Sequence, residues 1–109
     1  MLMSIKDLGE LMKQAQEAQG QFQEIRSQID SLEITGESGG GLVRILMNGR
    51  YEVGKVTIDP ALKQEEMGVV EDLIAAACND AVHKVEKAQA DKMSDFAGGL
   101  RVPLGSLKS

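Results

Sequence analysis

The sequence is poor in the residues on which most metal and nucleophilic sites depend. Its 109 residues include one cysteine, Cys78, and one histidine, His83. One cysteine cannot form a disulfide within a chain, and the two residues together cannot supply the three or four ligands of a zinc site. They stand five positions apart on a predicted helix and so point about 140° apart, which excludes a nucleophile pair. We therefore predict that the chain is not an enzyme and has no cofactor and no small-molecule substrate.

Aromatic residues and long apolar runs are also scarce. Aromatics make up 3% of the chain and tryptophan is absent, so any core must be aliphatic. No apolar run approaches the roughly 20 residues of a membrane helix, and the first residues lack the apolar stretch of a signal peptide. With a single cysteine, these features predict a cytoplasmic protein without a membrane partner. The length fits one domain, which we place at residues 1–97, followed by a flexible tail at 98–109.

Residues 4–32 are predicted to form one long helix. Ser4 and Asp7 give it a capping start. Apolar residues then alternate at spacings of three and four, which is the pattern of a heptad seam: Leu8, Leu11, Ala15, Ala18, Phe22, Ile25, Ile29 and Leu32. Such a helix is about 42 Å long, whereas a compact domain of this size has a radius of gyration of about 13 Å. We therefore expect a partner along the seam, with a second copy of the chain as the first candidate.

Residues 32–58 are predicted to form a three-stranded antiparallel meander. The strands are placed at 32–35, 42–47 and 51–58, with the glycine-rich stretch 36–41 as the first turn. Asn48-Gly49 predicts a two-residue type I′ hairpin turn, because both central residues of that turn need positive φ.

A second long helix is predicted after the sheet. Asp59 and Pro60 open a helical region as cap and first helical residue. The main helix is expected from about 64 to about 96 and to end at Gly98-Gly99. Its predicted apolar stripe consists of Val70, Leu73, Ile74, Ala77, Ala81, Val85 and Ala88. The fold class is therefore α+β.

Basic residues offer the only candidate site. Three lysines cluster toward the end of the second helix, and others on the first helix and the sheet could extend them. Pairs such as Asp80–Lys84 and Lys87–Asp91 suit a solvated helix face, and spacing alone favours that interpretation. The formal net charge of −5 also argues against a nucleic-acid partner, which usually needs a basic footprint. As hypothetical DNA contacts we name Lys84, Lys87, Lys92, Lys6, Lys13, Arg44 and Lys55.

Four runs of sequence resemble the YbaB/EbfC family of bacterial nucleoid-associated proteins, over roughly residues 8–93. They are Leu11-Met12-Lys13-Gln14-Ala15-Gln16; Thr35-Gly36-Glu37-Ser38-Gly39-Gly40-Gly41-Leu42-Val43; Asn48-Gly49 with Val56-Thr57-Ile58-Asp59-Pro60; and Glu71-Asp72-Leu73-Ile74-Ala75-Ala76-Ala77 with Asn79-Asp80-Ala81. The order and spacing of the runs, rather than any catalytic motif, carry the resemblance.

The resemblance implies a tweezer-like homodimer whose sheets form the interface and whose helices project outward. The apolar residues expected at that interface are Val43, Ile45, Met47, Val56 and Ile58. It also implies binding of double-stranded DNA, a place in the nucleoid, roles in nucleoid organisation and gene regulation, and recombination or repair proteins as further partners. The first-helix seam could then pack on the second helix of the same chain. The alternative is a coiled-coil protein-interaction or chaperone-like module, similar to prefoldin-like holdases, without DNA binding.

Overall fold

The computed structural model describes residues 4–99 and contains two long helices and one small sheet. Helix α1 spans Ile5–Asp30, strands β1, β2 and β3 span Glu33–Ser38, Val43–Asn48 and Val53–Ile58, and helix α2 spans Met67–Gly99. Short 3-10 segments occupy Gly39–Gly41 and Pro60–Gln64. The predicted α+β class and order of elements are confirmed. Both Gly98 and Gly99 belong to α2, and the rest of the predicted tail, 100–109, lies outside the described residues.

The sheet is an antiparallel meander in the order β1-β2-β3, and one of its faces carries the core. Val43 pairs with Ser38 on one side and with Ile58 on the other, and Ile45 pairs with Gly36 and Val56. The pleat alternates buried and accessible residues along β2, as expected for a sheet covered on one face. The buried β2 side chains meet the predicted α2 stripe, in a cluster of Val43, Ile45, Met47, Leu62, Ala77, Ala81 and Val85.

Helix α2 crosses this face in very close contact with β1. A Cβ atom built on Gly36 would lie 2.5 Å from the Cβ of Ala81 and would overlap the carbonyl oxygen of Ala77. The absence of a side chain at 36, opposite two alanines, therefore allows the helix to approach the strand backbone. This contact also corrects the predicted first turn, because Gly36 to Ser38 continue β1 and only Gly39 to Gly41 turn, with φ of 61°, 68° and 96°.

The second hairpin is present, but its loop differs from the predicted type I′ turn. The loop has three residues: Asn48 N–H donates to Glu52 O, and the positive φ of 63° falls on Tyr51 rather than on Gly49. The Asn48 side-chain oxygen accepts from Arg50 N–H at 2.8 Å and so holds the turn. Gly49 has a different role, because a Cβ there would overlap the carbonyl oxygen of Ile29 at the end of α1.

Helix α1 begins as predicted but packs along only part of its seam. The Ser4 hydroxyl accepts from Asp7 N–H at 3.1 Å and caps the helix. Its later seam residues approach the end of α2, where the rings of Phe22 and Phe96 meet edge to face with centroids 6.2 Å apart. Its earlier residues extend away from the sheet, which gives the molecule extents of 75 × 31 × 16 Å. None of the helices in the described region is long and apolar enough to cross a bilayer.

Candidate functional site

An apolar strip on β3 lies uncovered on the same face of the sheet as the core. Val56 and Ile58 pair with the buried Ile45 and Val43, and Val53 pairs with Met47 across a bulge. Helix α2 lies over β1 and β2, so the three β3 side chains remain 42–47% exposed. We call Val53, Val56 and Ile58 the β3 strip.

Burial within one chain reduces the number of expected interface residues that can contact a partner. Val43 and Ile45 are fully buried and Met47 is 3% exposed, all within a single chain. These three side chains pack on α2 and have no surface left to offer a partner. Of the five residues expected at the interface, only Val56 and Ile58 are accessible, and the sequence pattern could not distinguish them because all five share one face.

The two edges of the sheet differ. At β1, the carboxylate of Asp80 accepts from Glu37 N–H at 2.9 Å, and the ammonium of Lys84 donates to Thr35 O at 3.2 Å. Asp80 and Lys84 also pair with each other at 2.9 Å. The α2 side chains thus occupy two of the backbone groups through which this edge strand would pair with another chain. No comparable cover of β3 is found within residues 4–99.

The contacts at the β1 edge also lower the pKa of Asp80. The hydrogen bond from Glu37 N–H, followed by the one from Lys84, lowers the pKa of the Asp80 carboxyl below its ordinary value. Sequence spacing identified the Asp80–Lys84 pair within the helix, but not its contact with β1. No local signal could have revealed that contact, because Glu37 and Asp80 are 43 positions apart.

The predicted basic residues are distributed over three parts of the structure. Lys6 and Lys13 are exposed on the projecting part of α1, and Lys87 is exposed on α2, where Lys92 is half-buried. Arg44 and Lys55 are exposed on the face of the sheet opposite the core, and Arg44 lies 3.8 Å from Glu37. Within one chain these residues do not form a continuous patch.

The three α2 lysines are not equivalent. Lys84 is held by Asp80 and by the β1 backbone, whereas Lys87 and Lys92 form no ion pair within the described part of the chain. The expected partner of Lys87, Asp91, is not within 4 Å of it. Lys87 and Lys92 are five residues apart and point about 140° apart around the helix. Lys87 is therefore accessible to anionic ligands on one side of α2, whereas Lys92, on another side, is half-buried.

The arrangement does not support the coiled-coil alternative within one chain. Prefoldin-like modules need two helices packed along their length. In this structure α1 contacts α2 only in the second half of α1, and α1 has no buried residue.

In residues 4–99 no group of three potential metal ligands is found.

Comparison with known proteins gives a consistent result. The model of the YbaB/EbfC DNA-binding family matches residues 3–100. A nucleoid-associated protein of Hahella chejuensis is 55% identical over 97 residues, which cover 89% of this chain and 90% of that protein. One of Methylococcus capsulatus is 54% identical over 98 residues, covering 90% and 92%, respectively. One of Legionella pneumophila is 51% identical over 98 residues, covering 90% and 88%.

A solved structure shares the fold. The crystal structure of an uncharacterized protein, HP0035 from Helicobacter pylori, superposes with a TM-score of 0.64 and 23% identity, covering 87% of this chain and 98% of that one. At this identity the likeness shows the shared fold alone.

Proposed function

The chain belongs to the YbaB/EbfC DNA-binding family, which is not enzymatic, and we propose that it binds duplex DNA as a homodimer, non-specifically or with weak sequence preference. Through this binding it contributes to nucleoid organisation and gene regulation. The observation that carries the proposal is the family match across residues 3–100, together with relatives named nucleoid-associated proteins over about nine tenths of the chain.

The β3 strip and the open edge of β3 support the homodimer. The three exposed aliphatic side chains of the β3 strip lie beside the buried core and form a surface that a second sheet would bury. Because side chains of α2 cover the β1 edge, β3 is the edge of the sheet that remains accessible to another chain. A partner related by a two-fold axis would present the same strip in return. The two copies then meet through β3, with their long helices on the outside.

A pair of substitutions on one strand tests the dimer. Val56→Asp places a charge on the β3 strip, whereas Thr57→Asp places the same charge on the opposite face of the sheet and serves as the control. Sedimentation velocity should show a dimer for the control and a monomer for Val56→Asp. A dimer that persists in Val56→Asp would refute β3 as the interface.

Contacts with DNA must overcome an unfavourable overall charge. The formal charge of −5 per chain becomes about −10 for a dimer, so phosphates can be held only where cations stand apart from the carboxylates. The candidates are Lys87 and Lys92 on α2 and Lys6 and Lys13 on the projecting part of α1, which form no ion pair within residues 4–99 although carboxylates neighbour them on the same helices. If about three basic residues per subunit contact phosphate, a dimer neutralises about six phosphates, which gives a slope near −5 for log affinity against log salt concentration.

Anisotropy of a labelled duplex across salt concentrations tests these contacts. We compare the unaltered chain, Lys87→Gln/Lys92→Gln, and a control, Lys63→Gln, in the 3-10 segment before α2. Each lost phosphate contact reduces the magnitude of the slope by about 0.9, so in the double variant the slope should become less negative by up to about four units per dimer. Lys84 is left in place because its loss would open the β1 edge. No binding by the unaltered chain at low salt would refute DNA as the ligand, and an unchanged slope in the double variant would refute the assigned lysines.

A further inference from the structure

The first half of α1 projects from the molecule with an uncovered apolar seam. We call residues 5–18 the arm. Three of its large apolar side chains are strongly exposed, at 49% for Leu8, 54% for Leu11 and 57% for Met12. Ala15 and Ala18 continue the seam and are exposed as well. An apolar stripe of this length in water favours an occupant.

The seam of the arm has large side chains at one end and small ones at the other. Leu8 and Leu11 occupy two successive seam positions, and Ala15 and Ala18 occupy the next two. Two parallel arms would set leucine against leucine and alanine against alanine, so no single distance between the helix axes would suit both ends. Two antiparallel arms instead set Leu8 against Ala18 of the second copy, and Leu11 against Ala15. Each of the four layers then contains one large and one small side chain, which lets the two helices interdigitate.

The charged residues of the arm lie away from the seam. A row of alternating sign follows the outer side of α1 at spacings of four, three and four: Lys6, Glu10, Lys13 and Glu17. At 100° per residue this row lies about 150° from the seam, so it does not meet a helix packed there. Asp7 is the one charged residue that flanks the seam between positions 5 and 21, and antiparallel pairing places it near Gln21 of the second copy. A second copy therefore brings no carboxylate against a carboxylate.

The position of α2 limits how two arms can overlap. The rings of Phe22 and Phe96 meet just beyond the arm, so the rest of the molecule lies at that end. Antiparallel arms keep the two bodies at opposite ends. A shift of one heptad toward the bodies would set Leu11 against Phe22, two large side chains at a place that α2 already contacts. A shift of one heptad the other way would leave only two layers between the leucines and nothing opposite Ala18.

We propose that the arm is a self-association surface, on which the arms of two copies pair antiparallel, with Leu8 of each chain against Ala18 of the other. The long helices lie on the outside of the proposed homodimer, so this contact joins one dimer to the next. Because only four layers meet, the contact is small and forms at high local concentration, as when several dimers lie along one duplex. The arm contact itself does not rest on the proposed function, which enters only in the size of the assembly.

Mixing two single-cysteine variants tests the direction and register of the pair. In a Cys78→Ala background, chains with Leu8→Cys are mixed at high concentration with chains that carry Ala18→Cys. The control mixture contains Gly20→Cys in place of Ala18→Cys, because position 20 lies at nearly the same height but on the other side of α1, where an added side chain meets open space.

Peptide mass mapping identifies the disulfides that form under oxidising conditions. The disulfide between positions 8 and 18 should form at least about ten times faster than the one between positions 8 and 20, since pairing raises the effective concentration of the first two thiols alone. It should also form faster than a disulfide that joins position 8 of two chains. Equal rates for the two mixtures would overturn the proposal, and so would a preference for joining position 8 to position 8, which indicates parallel arms.

Sedimentation velocity at two concentrations separates the arm contact from the proposed homodimer. Leu11→Asp places a charge in the seam, whereas Gln16→Asp places the same charge on the outer side of α1 and serves as the control. At low concentration, where the Val56→Asp comparison is also made, both variants should have the mass of the unaltered chain. At high concentration the unaltered chain and Gln16→Asp should form species of at least twice that mass, and Leu11→Asp should not.

Two results would refute pairing of the arms. One is an unaltered chain that keeps its low-concentration mass throughout, and the other is a Leu11→Asp variant that associates as Gln16→Asp does. A monomer at low concentration would instead refute the homodimer, and the comparison of Leu11→Asp with Gln16→Asp would still decide the arm contact.

Discussion

Replacing Gly36 by alanine tests the close contact between α2 and β1 on which the core depends. The added methyl group would lie 2.5 Å from the Cβ of Ala81 and would overlap backbone atoms of Ala77 and Ala81. Carbon atoms in ordinary contact are about 3.5–4.0 Å apart, so the helix must move by at least about 1 Å. None of these neighbouring atoms can turn aside, since they are backbone atoms and an alanine methyl group.

The displacement would loosen the best-packed part of the molecule. Ala77, Ala81 and Val85 have no exposed surface and meet β2 from the same stretch of α2. Overpacking a core costs about 1–3 kcal/mol, and a rigid obstacle places Gly36→Ala at the upper end, near 3 kcal/mol. With an m-value of about 1–2 kcal/mol per molar urea, the midpoint of unfolding should fall by about 1.5–3 M.

Urea denaturation followed by far-UV circular dichroism measures this shift, at one fixed protein concentration because a dimer unfolds in a concentration-dependent way. Gly20→Ala is the matched control, since an added methyl group meets open space on α1. It should raise the stability by up to about 1 kcal/mol through helix propensity. If Gly36→Ala left the midpoint unchanged or raised it as the control does, the close approach of helix and strand would be refuted.

Three further substitutions probe single contacts. Because the folded-state pKa of Asp80 is lowered, its contribution to stability is present above the ordinary carboxyl range near pH 4 and is lost as the pH falls through the lowered pKa. The urea midpoints of the unaltered chain and of Asp80→Asn should therefore differ at pH 7 and converge as the medium is acidified below that range, and a constant difference would contradict this. Gly49→Ala should push the hairpin away from the carbonyl of Ile29 and lower the thermal midpoint, whereas an unaltered midpoint would exclude a tight joint there. The Ser38 hydroxyl donates to a carbonyl oxygen of α2 at 2.6 Å, so Ser38→Ala should cost about 1 kcal/mol in urea denaturation, and no cost would mean that water replaces the bond.

Contacts distant in the sequence decided where the turns and interfaces are. The stretch 36–41 is glycine-rich, yet its glycines have two different roles. Gly36 allows α2 to pack closely on β1, whereas Gly39 to Gly41 adopt the positive φ of the turn. Asn48-Gly49 predicted the position of the hairpin correctly, but the loop has three residues rather than the two that the local rule predicts. In this loop Gly49 lies directly against the backbone of Ile29 in α1. Such distinctions depend on which element lies against each residue.

The candidate site could be predicted only in part for the same reason. The lysines were visible as charges, but the bond that holds Lys84 to Thr35 joins residues 49 positions apart. The five aliphatic residues expected at the interface share one face of the sheet, and only the position of α2 separates the buried Val43 from the exposed Ile58.

The amino-acid sequence was enough to predict the order of the elements, the cap at Ser4, the buried faces of β2 and α2 and, through similarity to relatives, the family. These properties depend on residue spacing and local chemistry, which the chain carries in any conformation. Three properties could be read only from the folded chain: which apolar residues are covered, which edge of the sheet is open, and which lysine forms an ion pair. Those properties depend on one long helix lying over two strands and not the third, a placement that no local pattern encodes.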